Sequence, residues 1–235
     1  MTGTAVVAMG CGAQQSPVDV PVVARSVRAM ADAGWNVVLV APIEPPGADL
    51  AGRLALAVGQ SRSGRRAVTV VTHTLVDPAD PALARPPATA YPAPLAILEA
   101  EAIAALAESG FAVVVAGQVP VVPFGDDYRP LDVALDGAAA AQRLAGDLGA
   151  AALVFCGYEG SLLAGGPTVG EIDVVEAEHR LAADPPFGSE LRAAVRFLRA
   201  GGELAVINAG ARRLRIRRTL ARPHPEGSAL NAGWC

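Results

Sequence analysis

The chain contains no lysine; all 19 of its basic residues are arginines. A guanidinium keeps the charge of an ammonium but not its compact, rotatable donor geometry, so chemistry built on lysine donors has to be done otherwise or not at all. Cysteine is scarce too. Cys11, Cys156 and Cys235 are too few and too scattered for a disulfide framework, and none has the CxxC or Cys/His spacing of a metal site. The histidines His73, His179 and His224 lie far apart, and Ser161 and Ser189 have no His/Asp partner at a recognisable spacing, so no hydrolase triad is visible. No uncharged apolar run is long enough to span a bilayer, and the first residues lack the basic and long apolar regions of a signal peptide. These absences point to a reducing cytoplasm and away from a membrane.

The rest of the composition is that of a well-buried domain. Of 235 residues 52% are hydrophobic, enough for one large core or two small ones. A formal net charge of −4 gives no general attraction to nucleic acid or anionic membrane. The charge is uneven, because residues 211–235 hold six arginines and one glutamate, net +5, and leave the preceding chain at −9. The chain therefore divides, on expectation, into a body over 1–210 and an arginine-rich segment and tail over 211–235.

Short apolar runs alternate with amphipathic segments in a βα rhythm, which predicts a three-layer αβα sandwich around a mostly parallel sheet. Strands are expected at Ala5–Met9, Asn36–Val40, Ala67–Thr72, Phe111–Ala116, Ala151–Phe155 and Leu204–Ile207. Helices are expected at Pro17–Ala33, Leu50–Val58, Leu95–Glu108, Ala138–Leu148 and Leu191–Arg199, with glycines at several of their ends. Asp173 and Glu176 have capping-box spacing and start a helix through Leu181. Six prolines between Asp77 and Pro94 predict an extended connection. Arg212–Arg218 alternates with period two around Leu214 and Ile216, as an edge strand with arginines on one face would. In such sheets ligands sit at the carboxyl ends of the strands, so the turns of interest are Gly10–Ala13, Ala41–Gly47, Gly117–Pro120 and Cys156–Gly160.

At those turns the sequence resembles the carbamate kinases of the amino acid kinase superfamily. Val6-Val7-Ala8-Met9-Gly10-Cys11-Gly12-Ala13 resembles an opening VVALGGNA, and Thr72-His73-Thr74-Leu75-Val76-Asp77-Pro78-Ala79-Asp80-Pro81 resembles a VDPxDP segment. Phe111–Val121 is similar to VVICAGGGGIPV, Val133–Asp136 to AVID, and Ala193–Gly202 to AAIRFVEAGG. The order of these segments along the chain is the specific feature. The resemblance implies a carbamate kinase-like fold, a cytoplasmic homodimer related by a two-fold axis, nucleotide binding as ATP or ADP with Mg, and ATP:carbamate phosphotransfer. Its cofactor-binding positions here would be Gly10, Cys11, Gly12, Gly117, Asp136, Glu159 and Gly160.

The parts such chemistry needs are altered. Kinases of this kind cradle phosphates on glycine-rich turns and helix N-termini and neutralise the transferring group with lysines and Mg. Here Cys11 stands for a glycine and Gly12 for an asparagine. The HGNGPQ loop corresponds to Pro42–Gly47, where prolines remove amide donors and Glu44 adds negative charge. The four-glycine run contracts to Gly117-Gln118-Val119, and a TDVDG turn reads Cys156-Gly157-Tyr158-Glu159-Gly160. The family's lysines fall at Ala88, Gly137 and Glu190, the last a reversal of sign. A lid subdomain carried between the proline-rich residues of full-length members is missing, and with it a device that excludes water.

Three functions stand as alternatives. The first is a pseudokinase without catalytic residues, kept for binding, regulation or scaffolding. The second is an active small-molecule kinase in which Arg129, Arg192 or Arg196 replaces lysine. The third is a module that engages an acidic, phosphate-bearing or nucleic-acid partner through Arg212–Arg218. Asp126-Asp127 is a paired carboxylate that could bind Mg, but the favoured reading is a solvated turn, which needs no function.

Overall fold

The strand Thr4–Met9 (β1) is apolar and buried on both faces, as a central strand of a parallel sheet must be. The computed structural model describes residues 3–9, 20–41, 49–60, 66–84, 92–156, 169–182, 188–209 and 212–218. After β1 the chain forms α1 (Val20–Asp32), β2 (Asn36–Val40), α2 (Leu50–Gly59) and β3 (Ala67–Val76). A 3-10 turn at Pro81–Ala84 leads to β4 (Pro94–Ile97), α3 (Ala100–Glu108), β5 (Ala112–Phe124) and β6 (Asp127–Pro130). The remainder is α4 (Gly137–Asp147), β7 (Ala152–Cys156), β8 (Val169–Asp173), α5 (Val174–Leu181), α6 (Gly188–Arg199), β9 (Leu204–Ala209) and β10 (Arg212–Arg217).

The ten strands form one sheet in the order β4-β3-β5-β2-β1-β7-β9-β10-β8, with β6 paired to β5. The ladder from β3 through β9 is parallel. On one face Val23, Val27 and Met30 of α1 and Leu54 and Val58 of α2 bury Val7, Leu39, Val114 and Val154. On the other, α3, α4, α5 and α6 cover Val6, Val38, Val113 and Leu153, with Phe155 and Phe197 as the largest side chains of that layer. This is the expected three-layer sandwich. Asp173 accepts the amide of Glu176 at 2.8 Å and begins α5, in keeping with its capping spacing. Gly34, at φ 90°, ends α1 in the left-handed conformation that suits a helix stop.

Four expectations need correction. Leu95–Glu108 is not a single helix: β4 takes Pro94–Ile97 through antiparallel pairing with β3, and α3 starts only at Ala100, so sheet pairing overrides the helix propensity of the run. Gly117–Pro120 is strand and not turn, because β5 continues beside β3 to Leu75↔Val121 and a bulge between Val70 and Val71 absorbs Ala116. The proline-rich connection contains a 3-10 turn, held where Asp80 accepts the amides of Ala82 at 2.8 Å and Ala93 at 2.9 Å. Arg212–Arg217 is an interior strand and not an edge, since it pairs with β9 on one side and with β8, which has no clear signal in the sequence, on the other.

The extension of β3 and β5 carries Gly117, Gln118 and His73 beyond the body of the sheet. Level with Val70↔Val115, β2 and β1 reach Val40 and Ala8 and then end within a residue, whereas β3 and β5 pair for five further rungs. With β4 and β6 this extension makes an arm. It is tied to the body where the amide of Ile97 donates to Asp147 Oδ2 at 2.9 Å. Only residues 77–93 separate β3 from β4, too short a span to hold a folded subdomain of its own.

Candidate functional site

Met9 lies opposite Cys156 and Ala8 opposite Val40, so β1, β2 and β7 end side by side. The loops that leave these ends start as neighbours although they are far apart in sequence. Gly10, Cys11, Gly12, Glu159 and Gly160 belong to two of these loops and lie outside the described residues, as does the Pro42–Gly47 segment.

Gly117 and Asp136 are described. Gly117 occupies the first rung of the arm past the bulge, and its carbonyl accepts the hydroxyl of Thr72 at 2.8 Å. A Cβ at this glycine would meet only Val71, at 3.9 Å, so local packing does not demand glycine. Beside it Gln118 is buried to 8% exposure, and among the described residues its Nε2 has no partner; Thr74 Oγ1, on the same strand face as Thr72, has none there either.

Asp136 is the N-cap of α4. Its Oδ1 accepts the amides of Ala138 at 2.9 Å and Ala139 at 3.2 Å, and its Oδ2 accepts the hydroxyl of Ser189 at 2.5 Å. Ser189, left without a partner by its sequence neighbours, therefore has one. The two helices belong together for a topological reason. They end just before strands that start at the amino edge, where Ala151 N donates to Thr4 O and Glu203 N to Ala151 O, so their N-termini point towards the carboxyl edge. Glu190, in the first turn of α6, is 2% exposed. A carboxylate can be buried there because the helix N-terminus favours negative charge. The junction of α4 and α6 is thus already supplied with two acidic side chains of the protein's own.

The arginines proposed to replace lysine are exposed to solvent. Arg129 lies on the exposed β6, and Arg192 and Arg196 are exposed on α6, opposite the face that buries Leu191, Val195 and Leu198. On β10, Leu214 and Ile216 are buried, Arg217 pairs with Glu171, and Arg215 stands opposite Glu171 in the ladder. Glu171 of β8 thereby offsets part of the basic strip. Asp126 falls in the two-residue turn between β5 and β6, and Asp127 Oδ1 takes the amide of Tyr128 at 2.8 Å. Cys156 is buried beside Met9, while Cys11 lies outside the described residues. Among the described residues no three His, Cys, Asp or Glu side chains are grouped to hold a metal, and no helix is long and apolar enough to cross a membrane.

Sequence reading missed one further pair. His73 on β3 meets both oxygens of Glu99: the amide of His73 donates to Oε2 at 2.7 Å, and Nδ1 lies 2.6 Å from Oε1. The spacing of 26 residues gives no sequence signal. It arises because the amide of Leu98 still donates to the His73 carbonyl at 3.0 Å after Ile97 has paired with Thr74, which brings Glu99, one residue on, beside His73.

This sandwich, with its parallel core, extended β3–β5 arm and paired helix N-termini, has the carbamate kinase form of the amino acid kinase fold. Carbamate kinase from Giardia is similar to it over 93% of this chain and 99% of that chain, at 20% identity and a TM-score of 0.75. The Giardia lamblia enzyme bound to AMP-PNP is similar at 22% identity and a TM-score of 0.73, with the same coverage of each chain. N-acetylglutamate synthase from Neisseria gonorrhoeae is similar over 92% of this chain and 62% of its own, at 16% identity and a TM-score of 0.63. No protein-family model matches the chain, and no curated protein does.

Proposed function

We propose that this chain is a carbamate kinase-like protein that binds nucleotide at the carboxyl edge of its sheet, does not transfer phosphoryl groups, and serves as a binding or regulatory protein. The observation that carries this reading is the buried Glu190 beside the Ser189–Asp136 bond, at the position where the resemblance puts a lysine. A phosphoryl group in flight spreads negative charge over its oxygens and needs cations and free donors around it. Here the helix ends carry carboxylates, Asp136 is committed to three donors, and no lysine exists in the chain.

Nucleotide binding is supported by the similarity to a structure holding AMP-PNP and by the adjacent ends of β1 and β7. Gly10, Cys11 and Gly12 after β1, with Glu159 and Gly160 after β7, would hold it through backbone amides, and Mg would enter with the phosphates. Gly117 and Asp136 would border the site without donating to it. Self-association as a two-fold dimer is part of the same proposal.

The test is a thermal-shift titration with Mg-ADP and Mg-ATP. A ligand of the folded state raises apparent stability by about RT ln(1 + [L]/Kd), roughly 2.7 kcal/mol at a hundredfold excess over Kd. A saturable rise is expected with both nucleotides; no rise at millimolar nucleotide would remove nucleotide from the proposal.

A further inference from the structure

We propose that His73 is a phosphoryl-acceptor site, poised by Glu99. Glu99 holds the His73 residue at two points, backbone N and ring Nδ1, which fixes the ring relative to the strand. An ionised carboxylate has no proton to give, so in the neutral ring the proton sits on Nδ1 and the lone pair on Nε2. The second nitrogen of such an oriented imidazole is the nucleophilic one, by the same logic that orients histidine in hydrolytic triads and at metals. The side chain of His73 is 45% exposed, so a phosphoryl group attached to it would keep its oxygens in water.

The surroundings suit a donor larger than phosphate itself. On the same strand face stand Val71 and Leu75, with Val119 opposite His73 on β5. Val71 is 54% exposed, leaving an open apolar shelf next to the ring. Among the described residues His73 is the histidine paired with a carboxylate, and His179, exposed on α5, supplies a comparison inside the same molecule.

The step balances without a metal or an oxidant. The Nε2 lone pair forms a nitrogen–phosphorus bond while the bond from phosphorus to its leaving group breaks, and that group departs with the bonding pair. The positive charge placed on the ring is shared with Glu99 through the Nδ1 proton. This function goes beyond the nucleotide reading, since any phosphoryl donor with a competent leaving group can supply it.

Phosphoramidate, whose leaving group is ammonia, is the direct probe. The protein is treated with it and the histidine peptides are followed in time by mass spectrometry under alkaline conditions, which preserve phosphohistidine. His73 is expected to label faster than His179, because Glu99 orients its ring and His179 has no such carboxylate among the described residues, and Glu99→Gln to bring the two rates together while the thermal melt stays cooperative. Labelling of His73 no faster than of His179 would overturn the proposal, and that comparison needs no variant. A parallel incubation with Mg-ATP separates the two proposals. Label from phosphoramidate alone supports the acceptor site and agrees with nucleotide binding without phosphoryl transfer, whereas label from both donors supports the acceptor site and overturns the reading that no phosphoryl group leaves the nucleotide.

Discussion

Ser189 donates its hydroxyl to Asp136 at 2.5 Å across 53 residues of sequence, and this bond joins the N-termini of α6 and α4. Asp136→Ala removes that acceptor together with the cap of two amides, and is expected to lower stability by about 1–3 kcal/mol. Ser189→Ala should cost less, about 1 kcal/mol. Because the two residues share one bond, the double variant should be more stable than the sum of the singles requires. Urea unfolding of the four proteins checks this, and simple additivity would mean that the bond contributes nothing in solution.

Thr74 and Gln118 face the same buried side of the arm with polar atoms that have no partner among the described residues. Thr74→Val replaces the hydroxyl by a methyl of similar size, and is expected to raise stability by about 1 kcal/mol, the scale of an unmet buried donor. The same urea measurement decides it; a loss of stability would show that the hydroxyl is satisfied in solution.

Two glycines make an opposed pair. A Cβ at Gly202 would collide with the buried Phe197 ring, whereas one at Gly146, inside α4, meets nothing within 4 Å. Gly202→Ala should destabilise by about 1–3 kcal/mol through overpacking. Gly146→Ala should stabilise by about 0.5–1 kcal/mol by restoring helix propensity. Thermal melts of opposite sign are the expected result.

Acid acts on two surface ties. Hydrogen bonds from the amides of Ala93 and Ala82 hold the Asp80 carboxyl below its usual range, and the Arg199 guanidinium does the same for Glu178. A depressed folded pKa means stabilisation that is present above the unfolded value and lost as pH falls through the folded one. The ties should therefore persist at about pH 5 and fail only below the ordinary carboxylate range, near 4 and under. Hydrogen exchange at the Ala82 and Ala93 amides should accelerate over that interval beyond the intrinsic pH dependence of exchange, and Asp80→Asn should remove that excess acceleration.

The layers were legible in the sequence because a buried parallel strand and a one-sided helix write their environments locally. The runs Val37–Val40 and Ala152–Phe155 have no polar alternation, while Val23, Val27 and Met30 recur at helical spacing. The arm was not legible, because β4 exists only through its pairing with β3, and Gly117 reads as a turn residue until β3 is placed beside it. β8 was missed for the same reason, and its absence made β10 look like an edge. At the site, Asp136 was identified from its segment, but its partner Ser189 and the Glu99 that holds His73 come from other elements, and no local pattern records such meetings.

If the acidic side chains at the α4–α6 junction leave this kinase-like fold without phosphoryl transfer, nucleotide should bind without being consumed. ADP formation from Mg-ATP with carbamate present, followed at the nucleotide concentration that saturates the thermal shift, measures this directly. A saturable shift is expected together with ADP release no faster than the uncatalysed background. Turnover above that background, abolished by Arg192→Ala, would contradict the proposal and show that arginine does the work of the missing lysines.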